Sequence, residues 1–138
     1  MVREINKDVE SLSQKSEPFI IGQDDQILED MLDTAEHYGD DCVGLACIQI
    51  GVPKRVVLVR INNKFVPFIN PMIIKKSQNT YTVEEGCLSL EGTRTVRRHR
   101  TIKVAFTDST GKRKVQEFRD FTAQILQHEI DHCNGVLI

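Results

Sequence analysis

Asp120-Phe121-Thr122-Ala123-Gln124-Ile125-Leu126-Gln127-His128-Glu129-Ile130-Asp131-His132-Cys133-Asn134-Gly135 reads as a helix with a marked start and stop. Asp120 is placed to cap its first turn, and Asn134-Gly135 to end it. His128 and His132 are four residues apart with Glu129 between them, an H-E-x-x-H arrangement. On a helix, residues i and i+4 share a face, so both imidazoles can reach one metal ion. Glu129 then stands beside the open coordination position, where a water can be activated. The competing reading is a surface helix that happens to carry two histidines and several acids. Phe121, Ile125, His128 and His132 fall on adjacent turns of one side. A helix that turns this side to the core buries its imidazoles, and buried imidazoles need partners.

Upstream of this helix the periodicity is that of strands. Thr101–Thr107 and Lys114–Phe118 are joined around Asp108-Ser109-Thr110-Gly111-Lys112, a hairpin signal. Tyr81-Thr82-Val83 leads into Glu85-Gly86-Cys87-Leu88-Ser89-Leu90. Arg55–Ile61 and Lys64–Ile69 flank Asn62-Asn63 as a second hairpin; Pro71 is expected to end that strand, and Met72–Lys76 to begin another. Further upstream, Leu28, Met31, Leu32, Ala35 and Tyr38 form an apolar stripe at helical spacing. Asp24 and Asp25 supply its N-cap and first-turn charge, and Gly39 its stop. Residues 1–23 are weakly patterned, with Phe19-Ile20-Ile21 as an apolar anchor in a loop. The order is helix, many strands, helix. That predicts an α+β fold in which antiparallel β-sheets pack around a C-terminal metal-binding helix, with an additional N-terminal helix. No repeat or linker interrupts residues 1–138, so one domain is expected.

Composition narrows the function classes. A net charge of -2 gives no general attraction to nucleic acid or anionic membranes. Runs such as Val56-Val57-Leu58-Val59 are far too short to span a bilayer, and Met1–Lys7 lacks a signal peptide's apolar core, so a cytoplasmic location is expected. The four cysteines form no C-x-x-C pair, and a disulfide framework is not expected in a reducing compartment. Cys42 and Cys47 read as small buried hydrophobes.

Two histidines make an incomplete catalytic metal site, which normally takes three protein ligands. The candidates for the third are His37, His99, the acids and the cysteines. Cys87 stands out by its neighbours, between Gly86 and Leu88-Ser89 at a strand edge, where a cation would stabilise the thiolate.

Glu85-Gly86-Cys87-Leu88-Ser89 and Gln127-His128-Glu129-Ile130-Asp131-His132 resemble two signature motifs of the peptide deformylases. Gly44-Leu45-Ala46-Cys47-Ile48-Gln49 resembles the third, in the same order and spacing, and the resemblance extends from about Asp24 to Leu137. It implies a short member of that family, without a C-terminal extension. It implies Cys87, His128 and His132 as ligands of one divalent metal ion per chain, natively Fe(II), with zinc, nickel or cobalt able to take its place. Glu129 would be the general base on a water acidified by that cation, and would then pass the proton to the leaving amine. The Gln49 side-chain amide and the Leu88 backbone N–H would face the oxyanion. The implied substrates are N-formylmethionyl nascent peptides at the ribosome, with formate released. Gly44 would leave room for the substrate backbone, and Val43, Phe121 and Ile125 are candidates for the methionine pocket, with core packing as the alternative for Phe121. Arg94 matches a family position near substrate, although Arg94–Arg100 also reads as a solvated strand and turn. Glu85 and Asp131 are candidates to hold the free N–H of a ligand imidazole.

The sequence departs from the family pattern at Cys42, where a glycine is usual, at Cys47, which replaces an alanine, and at Glu91, where proline is frequent. These departures leave open a protein that binds peptides without turning them over. A zinc peptidase built on H-E-x-x-H is a further alternative, which the Glu-Gly-Cys-Leu-Ser motif does not fit.

Overall fold

Asn62 and Asn63 both sit at positive φ, 52° and 63°, the backbone of a two-residue turn whose twist matches the strands it joins. Around this hairpin the computed structural model, which describes residues 1–138, assembles its main sheet. In chain order the elements are α1 (Val9–Leu12), β1 (Glu17–Pro18), α2 (Asp25–Tyr38), β2 (Gly44–Ala46), β3 (Lys54–Ile61), β4 (Lys64–Lys76), β5 (Thr80–Cys87), β6 (Leu90–His99), β7 (Thr101–Thr107), β8 (Arg113–Arg119) and α3 (Asp120–Cys133). Single 3-10 turns cover Gly39–Asp41 and Cys47–Ile50. The main sheet runs β1-β3-β4-β7-β8, with β2 also on β3, while β5 and β6 form a separate two-stranded ribbon. Every pairing is antiparallel except the two-residue contact of β1 with β3. The α+β expectation therefore holds.

Strand β3 explains how two helices share one sheet. Its Val57 and Val59 join the cluster that holds Ala123, Leu126 and Ile130 of α3, together with Phe68, Ile102, Val104 and Phe118. Its Val56 and Leu58 join the opposite cluster, with Met31 and Ala35 of α2. Successive strand side chains point to opposite faces, so a run of four buried residues takes α2 on one side and α3 on the other. Each fully buried aliphatic side chain contributes roughly 1.5–3 kcal/mol.

Three local expectations change. Pro71 does not end a strand: β4 continues from Lys64 to Lys76. A register shift falls between Ile69 and Met72, and Asn70 has φ 50°. There β4 leaves β3, whose pairing stops at Ile69, and continues along β7, so a bulge accommodates the missing N–H. Asp24 precedes α2, but its carboxylate accepts from Ile20 N rather than from the helix. Asp120 is the first helical residue rather than the cap, with φ 55° and its carboxylate on Arg100. The weakly patterned segment before α2 contains α1 and β1, and Phe19 is buried as the expected anchor. No helix is long and apolar enough to cross a membrane.

Candidate active site

The site lies on a seam between three elements: the end of β2, helix α3, and the turn of the β5–β6 ribbon. Gly44 in β2 shows how closely the first two approach. A Cβ built there would lie 2.6 Å from Glu129 Oε2 and 2.7 Å from Ile125 Cγ2, so glycine is required for α3 to pack. After β2 the chain turns through Cys47–Ile50 and buries Gln49, which is 1% exposed. Its Oε1 accepts from Ala46 N at 2.9 Å, and its Nε2 donates to Ser89 Oγ at 3.3 Å. An amide nitrogen has two hydrogens, so one donor of Gln49 is left for another acceptor. Ser89 and Leu88 form the tight turn between Cys87 and Leu90, which pair across the ribbon.

The H-E-x-x-H histidines are both buried, and their Nε2 atoms face each other at 3.3 Å. Cys87 Sγ completes a set whose donor atoms all lie within 4.8 Å of one another. Two nitrogens each about 2.0–2.1 Å from one tetrahedral ion stand roughly 3.3 Å apart, so these residues fit a divalent cation. His128 Nδ1 is taken by Glu85 Oε1 at 2.8 Å, which orients the ring and leaves Nε2 for the shared position. His132 Nδ1 is buried without a protein partner. A thiolate with two imidazoles suits several first-row divalent ions and does not select one.

Behind His128 stands a buried ion network. Arg98 of β6 donates to both oxygens of Glu85, at 2.9 and 2.6 Å, and to Asp131 Oδ2 at 2.6 Å. Burial by itself would raise the Glu85 carboxyl, but hydrogen bonds from His128 and Arg98 outweigh it and hold it down to about 2. Burial likewise works against a charged His128, yet Cys87 and Glu85 raise it to about 10. His132, buried and close to the charges of His128 and Arg98, is lowered to about 3. The two imidazoles of one motif are thus driven in opposite directions: His128 is raised by Cys87 on one side and Glu85 on the other, whereas His132 is lowered by burial and nearby positive charge. Glu129 is 4% exposed, and its Oε1 has no hydrogen-bond partner. Burial, reinforced by the charge of Glu85, raises its carboxyl to about 7 despite the opposing cation of His128. A carboxyl balanced near neutrality is suited to taking and returning a proton.

These groups open on a cleft of about 240 Å³ lined by Asp41, Val43, Gly44, Gln49, Glu84, Glu85, Gly86, Cys87, Leu88, Phe121, Gln124, Ile125, His128 and Glu129. Sequence reasoning selected most of this wall. Phe121 is 58% exposed at the mouth, which removes the core-packing alternative, and Val43 is 41% exposed beside it. Gln49 is buried at the cleft rather than exposed at a strand end. Arg94 is not part of the cleft wall: it pairs with Glu85 across the ribbon, and its NH2 donates to Glu91 O. Asp131 holds Arg98 rather than an imidazole. Gly86 falls at a register shift in the ribbon, without positive φ and without a tight Cβ contact. His37 is exposed, and His99 Nδ1 lies 2.7 Å from Ser77 O. Cys42 and Cys47 are buried among apolar neighbours on the α2 side, so these two departures belong to the core. Arg98, Gln124, Asp41 and Glu84 were missed; Arg98 stands in the charge-rich Arg94–Arg100 run, where no local signal separates it from Arg94, Arg97 and Arg100.

The polypeptide deformylase family model matches residues 2–138. The chain belongs to the polypeptide deformylase family. A peptide deformylase of Clostridium beijerinckii is 44% identical over the full length of both chains. The crystal structure of the Thermotoga maritima peptide deformylase superposes with a TM-score of 0.89 at 33% identity, over 99% of this chain and 95% of that one. A class I type b peptide deformylase of Acinetobacter baumannii with Met-Ala-Ser bound gives 0.90 at 28% identity, over 99% and 97%. The enzyme class is that of a peptide deformylase, a hydrolase of protein biosynthesis whose family depends on a metal ion.

Proposed function

We propose that this deformylase removes the formyl group from the N-terminal methionine of newly synthesised polypeptides in the cytoplasm, releasing formate. One observation carries the reading: the unpartnered Glu129 carboxyl, the spare Gln49 amide donor, Cys87 and His128 share the wall of one cleft, with His132 buried behind His128 to complete the Cys-His-His donor set. Cys87, His128 and His132 hold the cation, for which Fe(II) is proposed as the native ion, with zinc, nickel or cobalt as substitutes. When bound, the cation supplies Lewis acidity that makes an adjacent water easier to deprotonate.

Glu129 Oε1 takes the proton from that water, which attacks the formyl carbon. The oxygen that becomes negative faces the free Gln49 Nε2–H and the Leu88 backbone N–H, donors held by surrounding bonds before the substrate arrives. As the C–N bond breaks, Glu129 returns the proton to the leaving amine. Val43, Phe121 and Ile125 receive the methionine side chain. Gly44 and the short strand it belongs to lie along the path of the peptide backbone, a β-augmentation mode. Partners are nascent chains at the ribosome; neither nucleic acid nor membrane is part of the reading.

The test is formate release from formyl-Met-Ala-Ser by protein prepared without oxygen and loaded with Fe(II), Ni(II) or Co(II). A folded, loaded sample that releases no formate removes the proposal.

A further inference from the structure

The pocket side of α3 carries Phe121, Gln124, Ile125 and His128, residues i, i+3, i+4 and i+7 of one stripe. A pocket for an apolar side chain is lined mainly by apolar residues, with a few placed polar groups that give specificity, and Gln124 is the polar position of this stripe above the histidine. Its orientation is fixed from the ribbon. Tyr81 Oη donates to Gln124 Oε1 at 2.9 Å, while the Arg100 guanidinium lies 4.6 Å above the Tyr81 ring. With Oε1 engaged, Nε2 is left as a donor without a protein partner in a residue that lines the cleft.

We infer that Gln124 is a specificity-determining residue whose amide N–H reads a hydrogen-bond acceptor near the end of the substrate's first side chain. This rests on the deformylase reading and on the first side chain entering beside Phe121 and Ile125. Methionine carries a weak acceptor at that depth, its thioether sulfur, whereas norleucine has the same length and no acceptor. Methionine sulfoxide carries a strong acceptor on the same frame, which an all-apolar pocket rejects as a polar group without a partner. The enzyme therefore prefers methionine to norleucine and also deformylates chains that begin with methionine sulfoxide.

The test compares formyl-Met-, formyl-norleucyl- and formyl-methionine-sulfoxide-Ala-Ser as substrates of the native enzyme and of Gln124→Leu and Gln124→Glu. The glutamate keeps size and the Tyr81 bond but has no donor. The native enzyme is expected to favour methionine over norleucine in kcat/KM by roughly threefold to tenfold, the range of one hydrogen bond. It is also expected to use the sulfoxide at least as well as norleucine. Both variants should bring the methionine-to-norleucine ratio close to one and lower sulfoxide use by about tenfold or more. Calorimetric binding of the deformylated peptides Met-Ala-Ser and its sulfoxide should show the same ordering without turnover. Ratios that are identical in native and variant proteins, or a native enzyme that excludes the sulfoxide, overturn the inference. Loss of turnover on all three substrates defeats the deformylase reading instead, and the binding ratios then decide the role of Gln124.

Discussion

Helix α3 meets two different partners by two different kinds of contact. Against the main sheet it presents Ala123, Leu126, Ile130 and Cys133, and the joint is apolar. Against the β5–β6 ribbon it presents Gln124, Gln127, His128 and Asp131, and the joint is made of hydrogen bonds and ion pairs. Tyr81 bonds Gln124, the backbone of His99 bonds the Gln127 amide in both directions, Glu85 holds His128, and Arg98 holds Asp131. Within the strands of the ribbon the only buried residues are Glu85 and Arg98. Apolar contact is strong but non-directional, while hydrogen bonds fix angles and distances. The sheet side thus supplies stability, and the ribbon side sets where Cys87 and Leu88 stand relative to the histidines.

The largest expected effect tests the chemistry on the α3 side. Glu129→Gln should lower turnover by roughly 10²- to 10⁴-fold, the contribution of a positioned acid–base group, with metal content and thermal midpoint retained. Turnover close to native would remove Glu129 from the reaction. Next comes the ribbon's own donor. Cys87→Ser should weaken metal binding by at least about tenfold, measured as the dissociation constant for Co(II) and its thiolate absorption band. Unchanged binding would show that the ribbon contributes no ligand.

The two joints can then be set against each other. Arg98→Met leaves Glu85 buried without its cation, at a cost of about 3–5 kcal/mol. Leu126→Ala, in the apolar joint, should cost a similar 2–5 kcal/mol. The prediction is that equal losses in denaturant midpoint come with unequal metal affinity, weakened in the Arg98 variant and near native in folded Leu126→Ala protein. Equal affinities would erase the proposed division of labour.

The smallest effect is on pH. The Glu85 carboxyl is held below its ordinary value of 4.5, so the stability it contributes is complete above that pH. That stability is lost as the pH falls from about 4.5 toward about 2, because the unfolded chain takes up the proton first. Chelator-treated native protein should therefore lose stability across this window more steeply than Glu85→Gln does. Parallel acid unfolding curves would show that the network does not depend on this charge.

Much of the molecule is legible before folding because its signals are short-range. The stripe from Leu28 to Tyr38, the Asn62-Asn63 turn, the Asp108–Lys112 turn and the spacing of His128 and His132 each need only a few neighbouring residues to be read. Cys87 was selected by a motif, and its approach to the histidines required a fold to carry it there. What short-range patterns could not convey were contacts across long separations. Arg98 meets Glu85 13 residues away and Asp131 33 residues away; Gln49 meets Ser89 across 40, and Tyr81 meets Gln124 across 43.

Position within the fold also decided the strand through Pro71, since a proline that ends an isolated strand is tolerated where the strand changes partners. It decided Gly44 as well, where the demand for glycine comes from α3 rather than from the local backbone. The sequence by itself therefore determined most of the elements, the family and the candidate reactive groups, because periodicity, turn chemistry and motif spacing are written in neighbouring residues. Only the tertiary structure decided which polar group faces which, because a buried charge or amide is shaped by partners that the topology brings from elsewhere in the chain.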